Sequence, residues 1–145
     1  MSSIFISRDS KSEYEIYKLL TYLNTSFKPH LDKQVDLANY AKKLNKKAII
    51  LYLNNENESF GILAYYLKNK VCFITSICIH ECYQGHGYGK QYFDYLLDDL
   101  KLKSIDEINL EVHGDNKKAV KFYKKYGFSM DEYLEDGKIF ARKIL

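Results

Sequence analysis

One glycine-rich segment in the middle of this chain separates a strand-like pattern from a helix-like one, and it reads His80-Glu81-Cys82-Tyr83-Gln84-Gly85-His86-Gly87-Tyr88-Gly89-Lys90. The preceding residues, 71–80, are mostly apolar on both alternating faces, which predicts a buried strand. The following residues are apolar at helical spacing, at positions 92, 93, 96, 97 and 100. A glycine-rich turn that enters a helix leaves free N–H groups beside the positive end of the helix dipole. The segment therefore predicts a phosphate-binding turn.

Two phosphate-binding patterns fail on this segment and a third one fits. A Walker loop would need a glycine where Gln84 stands and a hydroxyl where Gln91 stands. The dinucleotide pattern Gly-x-Gly-x-x-Gly fails at Lys90. The pattern that fits is Gln84-x-x-Gly87-x-Gly89, which resembles the coenzyme A pyrophosphate loop of the GNAT family of N-acetyltransferases. The alternative interpretation is a strand–helix turn that needs glycine only for its geometry.

A second segment strengthens the resemblance. Residues 111–128 read Glu-Val-His-Gly-Asp-Asn-Lys-Lys-Ala-Val-Lys-Phe-Tyr-Lys-Lys-Tyr-Gly-Phe. They are similar to the second motif of the same family, whose characteristic residues fall here at Asn116, Ala119, Tyr123, Gly127 and Phe128. The first three are three and four residues apart, so they share one face of a helix. The two motifs together cover roughly residues 71–128.

The resemblance implies a coenzyme A site. In it, the strand residues Ile77, Cys78 and Ile79 would line the pantetheine arm, with Asn116 and Ala119 beside it. The pyrophosphate would be held by the loop residues Gln84, Gly85, His86, Gly87, Tyr88, Gly89 and Lys90.

The resemblance also implies a catalytic role for Tyr123, which would protonate the departing thiolate as a general acid. A phenol is ordinarily protonated at neutral pH, with a pKa of about 10. Plain core packing is the alternative, because Phe122 and Tyr126 are aromatic neighbours.

The sequence identifies the general base less clearly than the general acid. Glu111 lies on the more polar face of a predicted strand beside the cofactor and is our candidate. Glu81, His80 and His113 compete with it, and a water relay would need none of them directly.

The resemblance places the acceptor groove between the first two helices and the late hairpin. Phe27, Lys28, His30 and Tyr133 should then line it. Lys28 and His30 offer polar donors, whereas Phe27 and Tyr133 offer flat faces on which a sugar or base can stack. These residues favour an amino sugar carried on a nucleotide, although simple packing of the loop would explain them too.

The predicted fold is α/β, a single-domain GNAT fold with a mixed central sheet flanked by helices in the order β-α-α-β-β-β-α-β-α-β-β. The strands on either side of the central helix should be parallel neighbours. Ser10-x-x-Glu13 predicts a capping box for the first helix. The second helix is predicted over Leu31–Leu44, with a stripe of Leu31, Val35, Ala38 and Ala41.

Composition limits the class of protein. A length of 145 residues favours one domain, 1–145. The net charge of +3 is weak evidence for nucleic acid, and neither a membrane span nor a signal-peptide pattern is present in the sequence. Three cysteines crowded into one strand region indicate reduced thiols and a cytoplasmic protein. His80, Cys82 and His86 match no tetrahedral metal-ligand spacing, so we expect no metal. A homodimer is left open.

The function expected is acetyl transfer from acetyl-CoA to a primary amine of a small molecule, with a nucleotide-linked amino sugar as the favoured acceptor. The α-amine of a protein or peptide is an alternative acceptor. A non-catalytic acyl-CoA-binding regulatory domain is the alternative from another class.

Overall fold

A computed structural model describes residues 3–145. The seven strands are β1 (Phe5–Ser7), β2 (Ile49–Asn54), β3 (Ser59–Lys68), β4 (Val71–Ile79), β5 (Glu107–His113), β6 (Ser129–Tyr133) and β7 (Lys138–Ile144). The four α-helices are α1 (Glu13–Leu23), α2 (Leu37–Lys47), α3 (Tyr88–Leu102) and α4 (Lys117–Lys125). This element order is the one predicted from the sequence. The first two residues of the predicted domain, 1–145, lie outside the described part.

All seven strands form one mixed sheet in the order β1-β2-β3-β4-β5-β7-β6. The only parallel pair in this sheet is β4 with β5, which confirms the prediction for the strands on either side of α3. Side chains of α3 and α4 pack into the core on one face, and those of α1 and α2 pack into the core on the other. The predicted fold class is therefore confirmed.

The structure corrects the predicted starts of the first two helices. Helix α1 is capped by Ser12, whose hydroxyl accepts from the backbone N–H of Glu15, while the Glu15 carboxylate accepts from the N–H of Ser12. The capping box is thus two residues later than Ser10-x-x-Glu13, because Ser12 has the same spacing to a glutamate.

The second predicted helix, Leu31–Leu44, is also wrong at its start. Residues 31–33 form a single 3₁₀ turn, and α2 begins only after Asp36, whose carboxylate accepts from the N–H of Asn39. A carboxylate that caps a helix competes with helical continuation through it. Ala38 is consequently exposed rather than part of the buried stripe.

A bulge in β4 shapes the centre of the sheet. Ser76 pairs with Ala64 of β3, but the next pair is Ile74 with Tyr65, so Thr75 is an extra residue. The parallel ladder with β5 ends at the same place, at the pair Ile74 and Leu110. Beyond it, residues 75–79 of β4 and 111–113 of β5 have no backbone pairing with each other. We call this gap between the two strand ends the wedge.

Candidate active site

The wedge is followed directly by the glycine-rich loop, which enters α3. Gly85 and Gly87 have φ values of +84° and +82°, and a Cβ at either position would meet no atom within 4 Å. Gly87 is the N-terminal cap residue of α3 and supplies no side chain to its first N–H groups. Left-handed glycines, open space and uncapped N–H groups are the features that an anionic pyrophosphate needs. The loop therefore fits coenzyme A.

A different structural requirement explains the glycine at position 89. A Cβ there would lie 3.3 Å from the ring of Phe122, so this residue allows α4 to pack closely against the start of α3. The third glycine of the motif is thus explained by helix packing.

Side chains from three other elements brace the loop. The hydroxyl of Ser26 accepts from the N–H of Glu81 at 3.0 Å, although the two are 55 residues apart. Tyr22 stacks on His80 with ring centroids 4.3 Å apart, and Phe60 stacks on Tyr83 at 3.9 Å. These contacts hold residues 80–83, the start of the loop, in place without a ligand.

Gln84 closes the end of the wedge. Its side-chain amide donates to the carbonyl of Ile79, the last residue of β4, at 2.8 Å. Ile77 and Ile79 are half-buried against the α3 and α4 core, while Cys78 points to the α1 and α2 core. Burial raises the pKa of the Cys78 thiol to about 12, which makes it a poor nucleophile.

Asn116 is the N-terminal cap residue of α4, the helix that follows β5, and Tyr123 lies within that helix. The carbonyl oxygen of the Asn116 side chain caps α4 by accepting from the N–H of Ala119 at 3.2 Å, which explains their spacing. Tyr123 is 5% exposed, and its ring packs against those of Phe93, Phe122 and Phe128. Burial, and in second place the Cys78 thiol, raise the pKa of Tyr123 above its ordinary value. The phenol is thus held in its proton-donating form.

Glu111 and His113 project from β5 towards the opposite face of the sheet, because Leu110 and Val112 face the α3 and α4 core. Glu111 is 42% exposed, with its carboxylate 3.8 Å from the ammonium group of Lys138. The Nε2 atom of His113 is buried without a hydrogen-bond partner in the described chain. A buried nitrogen of this kind is costly unless a ligand or water satisfies it.

His113 lines a cavity of about 460 Å³ between the α1–α2 connection and the start of α4. The residues that form its wall are Lys28, Pro29, His113, Asp115, Asn116, Lys117 and Lys118. Of the four residues predicted for the acceptor, only Lys28 is among them. Phe27 packs against the α1 and α2 core, His30 is exposed, and Tyr133 is 77% exposed at the end of β6.

No prediction from the sequence covered the loop braces or Asp115 of the cavity wall. Ser26 and Tyr22 are far from the loop along the chain, and no local pattern connects them to it. Pro29 and Asp115 carry no motif of their own. All four residues come together with the site only through the folding of the sheet.

A family model described as the acetyltransferase (GNAT) family matches residues 13–128. The chain therefore belongs to the acetyltransferase (GNAT) family, and the resemblance identified from its two motifs is confirmed.

Individual relatives match shorter parts of the chain than the family model does. It is 26% identical over 92 residues to the uncharacterized protein YxbD of Bacillus subtilis (strain 168), which is 63% of this chain and 57% of that protein. It is 30% identical over 56 residues to N-alpha-acetyltransferase 30 of Saccharomyces cerevisiae, which is 39% of this chain and 32% of that protein. The chain thus spans less than two thirds of either relative.

Among solved structures, the PaiA N-acetyltransferase from Thermoplasma acidophilum in complex with coenzyme A has a TM-score of 0.80 with this chain. The two are 17% identical, and the match covers 99% of each chain. This likeness concerns the fold.

Proposed function

We propose that this chain transfers an acetyl group from acetyl-CoA to a primary amine by direct attack in a ternary complex. The observation that carries the proposal is the wedge, which is followed by an open, left-handed glycine loop at the start of α3. Unpaired strand edges suit the amides of a pantetheine arm, and the loop suits its pyrophosphate. Free cysteines, two of them buried, support a cytoplasmic location as part of the proposal.

The protein's own groups have three tasks in this reaction. Acetyl-CoA, when bound, supplies the thioester whose carbonyl carbon the amine attacks. The strand edge of β4 and the loop position it, Glu111 accepts the proton that the amine loses, and Tyr123 donates a proton to the leaving sulfur. Tyr123 lies in the α3 and α4 core, whereas Glu111 projects from the opposite face of the sheet. The donor and acceptor of protons are therefore separated by the sheet.

We expect Glu111→Gln to remove or displace the acid limb of the pH–rate profile, because a neutral amide cannot accept the proton. The profile of turnover against pH in the folded variant measures this. Lys138→Met is the matched control, since it breaks the 3.8 Å ion pair and leaves the carboxylate. An unaltered acid limb in folded Glu111→Gln would mean that His113, His80 or solvent accepts the proton of the amine.

For the acceptor, we propose a small-molecule amine that carries an anionic group, with a nucleotide-linked amino sugar as the favoured case. Three lysines and one aspartate line the cavity, so its wall is net positive. The ammonium group of Lys28 donates to the carbonyl of Thr25 at 3.3 Å, an exposed local hydrogen bond that it can exchange for one to a phosphate. The buried Nε2 of His113 offers a further polar partner there.

The α-amine of a peptide is the second candidate acceptor. The observation that favours it is the similarity to N-alpha-acetyltransferase 30 of Saccharomyces cerevisiae over 56 residues. A peptide would place its amine in the same wedge but would need no phosphate-binding lysine.

A thiol-release assay with acetyl-CoA against amino sugars, nucleotide-linked amino sugars, polyamines and peptides separates these candidates. We expect kcat/KM to be highest for an anionic amino sugar, and Lys28→Ala to lower it about tenfold for phosphate-bearing acceptors only. Lys33→Ala, an exposed lysine outside the cavity wall, is the control.

A peptide that outruns every amino sugar, with Lys28→Ala harming all acceptors equally, would refute the sugar proposal and leave acetyl transfer intact. Absence of turnover with every amine would instead favour the non-catalytic domain.

A further inference from the structure

The bulge at Thr75 changes which face each β4 side chain occupies. Before it, Cys72 and Ile74 are buried in the α3 and α4 core; after it, Cys78 is buried in the α1 and α2 core. In a strand without the bulge, all even-numbered side chains would lie on the same face of the sheet, and the strand would stay in register with its neighbour. The bulge is therefore what ends the β4–β5 ladder and opens the wedge.

A single phenol reaches this bulge from α2. The hydroxyl of Tyr40 lies 3.3 Å from the carbonyl oxygen of Thr75 and 2.8 Å from its hydroxyl, and it also contacts the hydroxyl of Ser76. A phenol has one proton and two lone pairs, so it can donate to the carbonyl and accept from both hydroxyls. All three contacts are thereby satisfied at once.

Tyr40 is well placed to hold the bulge still. It is 9% exposed and packs in the same core as Ala41 and Leu44 of its own helix. Ser76 is one of the few buried polar side chains of the described chain, at 5% exposure. Buried hydroxyls need partners, and the phenol provides one for Ser76 in this otherwise apolar region.

We propose that Tyr40 is a positioning residue, which fixes the β4 bulge through Thr75 and Ser76 and so keeps the wedge open for coenzyme A. It touches neither the loop nor the acceptor cavity, and it acts only through the strand. The inference rests on the proposed function, because it takes the wedge to be the site of the pantetheine arm.

The test compares Tyr40→Phe with Tyr65→Phe. Tyr65 is the matched control, since it is also buried and its hydroxyl also makes a hydrogen bond, to Asp99, on the opposite face of the sheet. We expect the Kd for coenzyme A, measured by calorimetry well below both melting temperatures, to rise about tenfold in Tyr40→Phe only. Hydrogen exchange of the amides 76–79 should accelerate in Tyr40→Phe and not in Tyr65→Phe.

Unchanged affinity and unchanged exchange in Tyr40→Phe would overturn the proposal. If that variant does not fold, the double variant Thr75→Val and Ser76→Ala removes both hydroxyl partners and keeps the phenol. Normal coenzyme A binding by the double variant would overturn the proposal equally. Failure of the unsubstituted protein to bind coenzyme A is a distinct result, which would refute the proposed function as well.

Discussion

Replacing Tyr123 by phenylalanine is expected to lower the turnover number about 100-fold while leaving the fold and the affinity for coenzyme A intact. The substitution removes only a hydroxyl and keeps the ring, which packs against Phe93 and Phe128. Because burial raises the pKa of this phenol, Tyr123 should remain protonated above neutral pH in the unsubstituted protein and still be able to act as the acid. We expect no alkaline limb from Tyr123 below about pH 10.

Steady-state kinetics and calorimetry on the same preparations measure the two effects separately. Tyr126→Phe is the control, because Tyr126 lies on the last turn of the same helix region and has no assigned role. If turnover of Tyr123→Phe matched that of the unsubstituted protein at every pH, the leaving thiolate would be protonated by water or another group. Tyr123 would then be a core residue, as its aromatic contacts with Phe93 and Phe128 allow.

Gly87→Val is expected to weaken coenzyme A binding by about 2 kcal/mol, or roughly 30-fold. The glycine has a φ of +82°, which a β-branched residue adopts only with strain. Its Cβ would project into the open space that the pyrophosphate needs, so the ligand and not the protein would meet the new side chain. Calorimetric titration of the folded variant with coenzyme A measures the loss.

Gly137→Val separates the strain from the blocked site. Gly137 has a φ of +74° and equally open surroundings, but it lies in the turn between β6 and β7. Both variants should lose stability, and only Gly87→Val should lose affinity. Equal affinities in the two variants would show that the loop at Gly87 does not hold the pyrophosphate.

The sequence alone determined the order of the elements, the parallel pairing of β4 with β5, and the family. These follow from local signals, since side-chain periodicity and glycine positions are set by residues a few places apart. The helix starts were less secure. Ser10 and Ser12 both satisfy the capping-box spacing, and the choice between them depends on where Ile16 meets the core.

Only the tertiary structure decided what surrounds the site. The wedge depends on Thr75, and nothing in a run of alternating apolar residues marks which one will be the extra residue of a bulge. Tyr40 contacts the bulge, Ser26 contacts the loop and His113 lines the cavity, and the three belong to different elements of the chain. Their roles come from packing between faces of the sheet, and packing is a property of residues that are distant in sequence and in contact only after folding.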